Sequence, residues 1–234
     1  LYDNTKKMWQ LKKKWFTGVK NMTIVTPSEW LAGLAKESYL KEYPIQVINN
    51  GIDLDMFKPT HSNFREQYGI PGDKYIVLGV SFAWGYRKGL DCFAEMAEKL
   101  GDKYQIVLVG TDGEIDKNLP KNIISIHRTQ NQKELAEIYS TADVFAMPTR
   151  EENYPTVNME AIACGTPVVT FDTGGSPEML NEKVGRVVPV DDVDEMINAI
   201  QDMCVRREKE NDCENLAGIA MKTRFNEYVT LYSK

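Results

Sequence analysis

Two stretches set the architecture: KYIVLGV at residues 74–80 and YQIVLVG at residues 104–110. Each is apolar nearly throughout, where a strand with one wet face would alternate polar and apolar residues, so both are expected to be buried on two faces. Between them lies RKGLDCFAEMAEKL (87–100), in which Leu90, Phe93, Ala97 and Leu100 recur along one helical face. Buried strand, helix, buried strand is the pattern of a parallel pair joined by a crossover helix.

The alternation continues through NIISI (122–126), a helix opened by a capping-box pattern at Asn131 and Glu134, ADVFAMP (142–148), a further helix, PVVTF (167–171), GRVVPV (185–190) and a helix from Asp192. The expected fold is α/β: from about residue 50, a Rossmann-like parallel sheet with helices on both faces. Upstream, MTIVTP (22–27) reads as a short strand, Ser28 as the N-cap of the next helix, and IQVIN (45–49) as a second strand. A last amphipathic helix is expected from about residue 215 to 232.

The first 21 residues interleave Lys6, Lys7, Lys12, Lys13, Lys14 and Lys20 with Met8, Trp9, Leu11, Trp15, Phe16 and Val19. Such a helix either lies on an anionic membrane surface or packs its apolar side on protein. The chain opens on Leu with no signal-peptide core and reads as a piece of a longer protein. A net charge of −6 argues against a nucleic-acid partner. No apolar run reaches the ~18 residues of a membrane span. Four cysteines without CxxC spacing fit a reducing, cytoplasmic setting, at the inner membrane face if the basic helix binds there. With only His61 and His127, a histidine-built metal site is not expected.

In parallel sheets ligands bind beyond the carboxyl ends of the strands. Three loops there carry chemistry. In SFAWGYRKG (81–89), Arg87 and Lys88 stand where a helix begins, opposing its dipole unless an anion joins them. They are otherwise two solvated charges. In EENYPTVNMEAIACGTPVV (151–169), a helix is expected from Pro155 to just before Gly165. Glu152 would lie in the loop and Glu160 inside the helix. In one continuous helix the two would stand roughly 80° apart, poorly placed as a pair. The first N–H groups, near Thr156 and Val157, could hold phosphate oxygens, and Glu160 could accept from a pair of hydroxyls or simply be a surface Glu. DTGGSPEM (172–179) combines two glycines with a helix-start signal.

Together these motifs resemble retaining glycosyltransferases of family 4, which have the GT-B fold. The resemblance rests on E-x7-E at Glu152 and Glu160 followed by GGSPE, on VINNGIDLDMFKP, on RKGLD and on TIVTPSEWLAGLAKESYL. It is nearest to bacterial enzymes of capsular or exopolysaccharide synthesis. It implies that residues 1–48 are the remnant of an N-terminal acceptor domain, 49–212 the donor-binding domain, and 213–234 a helix packing back toward the missing part. Glu152, the catalytic candidate, would hydrogen-bond the donor sugar. Asn153, Tyr154, Thr156 and Val157 would supply loop or backbone contacts, Glu160 would hold the ribose, and Arg87 and Lys88 would neutralise the diphosphate.

The implied donor is UDP- or GDP-linked, the acceptor saccharide or lipid-linked, and no metal or other cofactor is expected. The base would sit near His127, Arg128 and Thr111. Asp53-Leu54-Asp55 copies a D-x-D metal motif but reads as incidental. Many members carry Gly-Arg after the strand that ends here in Val-Ser-Phe, a departure that leaves Arg87 to supply the cation. This chain alone is expected to bind donor without transferring sugar. A sugar-nucleotide epimerase of the same architecture and a non-catalytic binding module remain as alternatives.

Overall fold

The buried apolar stretches are the strands of one six-stranded sheet in a computed structural model that describes residues 3–207 and 216–233. In chain order the elements are α1 (Thr5–Phe16), β1 (Ile24–Thr26), α2 (Glu29–Glu37), β2 (Ile45–Val47), α3 (Phe64–Gln67), β3 (Tyr75–Val80), α4 (Leu90–Lys99), β4 (Tyr104–Val109), α5 (Gly113–Asp116), β5 (Ile123–Ile126), α6 (Gln132–Thr141), β6 (Val144–Met147), α7 (Thr156–Ala163), β7 (Val168–Phe171), β8 (Gly185–Val188), α8 (Val193–Arg207) and α9 (Met221–Tyr232). The sheet runs β5-β4-β3-β6-β7-β8, and every paired neighbour is parallel. The expected doubly covered parallel sheet is present.

Two cores follow from the pleat, since successive side chains point to opposite faces. Ile76 and Leu78 join Phe57, Phe64, Tyr139, Phe145, Met159 and Ile162 on one face. Val77 joins Phe93, Met96, Leu108, Phe171, Met196 and Ile200 on the other. Connections from β3 lead outward through β4 to β5, and those from β6 through β7 to β8. The order in which strands are added therefore reverses between the parallel neighbours β3 and β6, opening a crevice at their carboxyl ends.

The N-terminal segment makes a separate parallel pair, β1 with β2, crossed over by α2. Ser28 caps α2 as expected, its Oγ accepting from the Leu31 N–H at 3.1 Å. The last segment returns against the NNGID turn, where Ile52 N–H donates to Ile219 O and Met221 N–H to Ile52 O. Helix α1 has no buried residue and leaves Met8, Trp9, Trp15 and Phe16 exposed. It is tied down by an edge-on contact of Trp9 with Tyr39 and by the Tyr43 hydroxyl, which donates to Phe16 O and accepts from the Val19 N–H. No helix of the described residues is long and apolar enough to cross a membrane.

Several boundaries differ from expectation. ADVFAMP contracts to Val144–Met147 because Asp143 turns to Arg65 and to the Ile76 N–H. The capping box is displaced: Asn131 accepts from Glu134 N–H, but Glu134 accepts from Gln130 rather than from the cap residue. GGSPEM begins no α-helix; Ser176–Met179 is a single 3-10 turn. Cys92, Cys164 and Cys204 are buried, whereas Cys213 and the expected start of the last helix lie outside the described residues.

Candidate functional site

At the crevice between β3 and β6 lies a cavity of about 390 Å³. It is walled by Ser81–Trp84 after β3, by Arg87 and Lys88, by Pro148 and Thr149 after β6, and by Glu152, Tyr154, Thr156 and Val157. The Lys88 Nζ donates to Glu152 Oε2 at 2.6 Å, and both side chains are about three-quarters shielded from solvent. An acid and a cation from different loops thus meet at one wall. The Glu152 carboxylate is not loose at the cavity mouth but paired.

The expected cations part company. Both lie in a 3-10 turn, Tyr86–Lys88, ahead of α4, whose N-cap is Gly89. They therefore stand before the helix rather than in its first turn. The Arg87 side chain is exposed, with Glu151 at 3.9 Å.

Helix α7 starts one residue later than expected. Pro155 is its cap, in extended conformation, and offers no side-chain hydrogen bond. The amides of the first turn have no partner within the helix, and the dipole's positive end faces the cavity wall formed by Thr156 and Val157. At the other end Gly165, at φ +80°, lets its own N–H reach Ile162 O and that of Thr166 reach Ala161 O, closing the helix in a Schellman motif.

Glu160 is not on the cavity wall. It stands one turn deeper in α7, where Oε2 accepts from the Tyr139 hydroxyl at 3.1 Å. Burial pushes its carboxyl above the ordinary value near 4.5, and the Tyr139 hydrogen bond only partly offsets this. Tyr139 is fully buried, and its hydroxyl is raised well above its ordinary range by burial and by Glu160.

Asn153 does not point freely into the site either. Its Oδ1 accepts from Ser28 Oγ at 2.6 Å, and its carbonyl accepts from the Gly175 N–H at 2.7 Å. Tyr154 is buried, and its carbonyl accepts from Asn50 Nδ2 at 3.3 Å.

The loop GGSPE gains a purpose the sequence did not announce. Glu178 accepts from the Glu29 and Trp30 N–H groups, at 2.9 and 2.8 Å, so it caps α2 from across the molecule. Ser28 and Glu178 together fasten the N-terminal unit to the loops that carry Glu152. Phe82, the last residue of the departing Val-Ser-Phe, stands fully exposed at the cavity's lip.

Of the positions expected near a base, Thr111 and His127, but not Arg128, join a hydrogen-bonded chain on the carboxyl side of β4 and β5. Thr111 bonds Ser125 at 2.6 Å, Ser125 donates to Asp116 Oδ1 at 2.5 Å, and His127 Nε2 meets Asp116 Oδ2 at 2.6 Å. These hydrogen bonds hold the Asp116 carboxyl below its ordinary value. Asp53 serves a turn, accepting from the Asp55 and Met56 N–H groups, and lies away from the cavity. Among the described residues no three His, Cys, Asp or Glu side chains are grouped as metal ligands.

The family described as "Glycosyl transferases group 1" matches residues 61–217. A D-inositol 3-phosphate glycosyltransferase of Mycobacteroides abscessus is 28% identical over 177 residues, which are 70% of this chain and 40% of that protein. The UDP-Gal:alpha-D-GlcNAc-diphosphoundecaprenol alpha-1,3-galactosyltransferase of Escherichia coli is 28% identical over 184 residues, 70% of this chain and 46% of that protein. This chain thus spans less than half the length of those relatives.

Among solved structures, sucrose-phosphate synthase from Thermosynechococcus elongatus superposes with a TM-score of 0.82 at 25% identity, over 97% of this chain and 61% of that one. Anabaena HepE in complex with UDP and glucose gives 0.79 at 17% identity, over 98% and 67%, a likeness of fold. The Rossmann-like sheet expected of the C-terminal half of a GT-B fold is what these structures share with the chain. With the family match covering most of its length, the chain belongs to the glycosyl transferases of group 1.

Proposed function

We propose that this chain is the donor-binding part of a retaining family 4 glycosyltransferase, acting on a saccharide or lipid-linked acceptor in bacterial cell-surface polysaccharide synthesis. The observation that carries the reading is the Lys88–Glu152 pair in a cavity beside the uncapped start of α7. A nucleotide-diphosphate sugar would lay its phosphates against Lys88, Arg87 and the amides near Thr156 and Val157, and its sugar against Glu152. That arrangement concentrates positive charge where the leaving diphosphate develops negative charge, and it calls on no metal. Asn153 and Tyr154 hold the loop. Glu160, with Oε2 fixed by Tyr139, would offer Oε1 to a ribose hydroxyl. UDP-linked sugars are the first choice, supported by the UDP-bound neighbour, and GDP-linked ones the second.

The domain division follows the same reading. Residues 1–48 would be the end of an acceptor domain, 49–212 the donor domain and 213–234 the returning helix. On α9, Met221, Phe225, Val229 and Tyr232 form an exposed apolar stripe suited to the rest of such a protein. The chain alone is then expected to bind donor but transfer no sugar, and transfer by it would refute the division.

Calorimetry against UDP, GDP, ADP and CDP tests the donor site. A ribose hydroxyl donates best to an ionised Glu160, whose carboxyl burial has raised. UDP affinity should therefore be flat above that raised value and fall by up to about tenfold per pH unit below it, with a proton released on binding. In Glu160→Gln the affinity should be weaker and the slope gone. The stability effect has the opposite sense: above 4.5 the folded chain holds this proton longer than the unfolded one, so stability falls as pH rises toward the raised value. A Glu160→Gln chain that binds as tightly as the unaltered one, with the same slope, would remove the ribose role.

Helix α1 belongs to the same proposal. No acidic residue occurs from residue 4 to residue 28, a stretch with six lysines in a chain of net charge −6. That charge, with Trp9, Trp15 and Phe16 exposed, fits an anionic bilayer surface at the inner membrane face, each lysine near it contributing on the order of 1 kcal/mol. The chain should sediment with phosphatidylglycerol vesicles, not with phosphatidylcholine ones, and salt or Lys12→Glu with Lys13→Glu should release it. Equal failure with both vesicles would refute membrane attachment.

A further inference from the structure

Arg150, two residues before Glu152 and behind the cavity wall, makes several side-chain contacts that the roles proposed above do not use. Its guanidinium forks onto Asp91, at 2.9 and 2.8 Å, and its Nε donates to Asp191 Oδ1 at 2.6 Å. Nη1 also donates to the Tyr86 carbonyl, and the guanidinium carbon stacks 3.8 Å from the Tyr86 ring centre. The main chain adds a bond from Arg150 N–H to Arg87 O at 2.9 Å, seconded by the Thr149 hydroxyl at 3.3 Å. The side chain is 14% exposed, and Asp191 sits at φ +66°, a left-handed conformation non-glycine residues seldom adopt.

These contacts join three loops. Tyr86 leads to Lys88 two residues on, Arg150 leads to Glu152 two residues on, and Asp191 follows β8. Lys88 and Glu152 lie in the loops that follow β3 and β6, so their 2.6 Å bond depends on how the two loops are held relative to each other. An isolated exposed ion pair would be too weak for this. A planar fork on one carboxylate, a second carboxylate at Nε and an aromatic face fix orientation as well as distance, which a lysine cannot copy.

We propose that Arg150 is a positioning residue, whose fork sets the spacing of Lys88 and Glu152 and through it the affinity of the cavity for a nucleoside diphosphate. This rests on the donor-site reading above.

The test compares Arg150→Lys, Arg150→Gln and the milder Asp191→Asn with a matched control, Arg65→Gln. Arg65 is similarly embedded, bonding Asp143 at 2.8 Å and the Pro71 and Lys74 carbonyls at 3.1 and 2.9 Å, but at the amino ends of β3 and β6. UDP affinity is measured by calorimetry at a temperature where circular dichroism shows each chain folded. Both arginine sites should lose thermal stability. Only the Arg150 and Asp191 variants should lose affinity, about tenfold for Arg150→Lys and less for Asp191→Asn.

Folded Arg150→Lys that binds UDP as tightly as the unaltered chain would overturn the proposal. So would an equal loss of affinity in Arg65→Gln, which would trace the effect to general stability. An unaltered chain that binds no nucleoside diphosphate would overturn the donor site itself, and this inference with it.

Discussion

Lys88→Met is expected to weaken UDP binding about a hundred- to thousandfold. A charge-assisted hydrogen bond to a phosphate oxygen contributes roughly 1.5–3 kcal/mol, and every 1.4 kcal/mol is about a factor of ten. The rest of the effect comes from what the substitution leaves behind. Glu152, its side chain 21% exposed, loses the cation 2.6 Å away and becomes an uncompensated carboxylate facing an incoming dianion. Loss of attraction and gain of repulsion therefore act together, for a total of about 3–4 kcal/mol.

The repulsive part is separable. Lys88→Met combined with Glu152→Gln should recover about tenfold of the affinity, because the amide carries no charge to oppose the phosphates. Calorimetry of the single and double variants with UDP measures both terms. A single variant within a few-fold of the unaltered chain would place the diphosphate elsewhere, and a double variant no better than the single one would deny that Glu152 faces it.

The sequence was most informative where neighbours in the chain are also neighbours in function. The central strands were legible because they are apolar on both faces, the edge strands β5 and β8 keeping only Ser125 and Arg186 as polar interruptions, and the loops after β3 and β6 were recognisable as the ends of such strands. Lys88, Glu152, Thr156 and Val157 share one cavity for that reason. Glu160 lies inside α7 as its spacing predicts, but helical spacing fixes only its angle there and not the partner waiting for it, Tyr139 of α6. Glu178 was read as part of a helix start, whereas its carboxylate caps a helix 148 and 149 residues earlier in the chain. Arg150 gave no signal, since its two carboxylates lie 59 and 41 residues away and only the fold unites them. Local rules found the strands, the Ser28 and Asn131 caps and the helix-ending Gly165. The bonds that hold one loop against another obey no local rule.

The loop–loop contacts also make Gly174 a sensitive backbone position near the site. It sits at φ +57°, and a methyl group there would stand 1.8 Å from the Glu152 carbonyl oxygen and 2.8 Å from its carbon. No side-chain rotation relieves that contact, because both partners are backbone. The neighbouring bonds from Gly175 N–H to Asn153 O, at 2.7 Å, and from Thr173 Oγ1 to Thr149 O, at 2.9 Å, resist a shift of either loop.

Gly174→Ala is therefore expected to cost about 1–2 kcal/mol for the left-handed conformation and about 1–3 kcal/mol more for the forced displacement. For a chain of this size the combined cost of about 2–5 kcal/mol lowers Tm by roughly 4–20 °C. Gly69→Ala separates the two contributions. Gly69 has a similar φ of +63° but nothing within 4 Å of the added carbon, so it should pay only the conformational part and leave UDP binding unchanged. Gly174→Ala should also bind UDP more weakly where it is still folded, because relief of the clash moves the segment that carries Glu152. If the two variants melt together and bind UDP alike, the GGSPE loop does not hold the Glu152 segment in place.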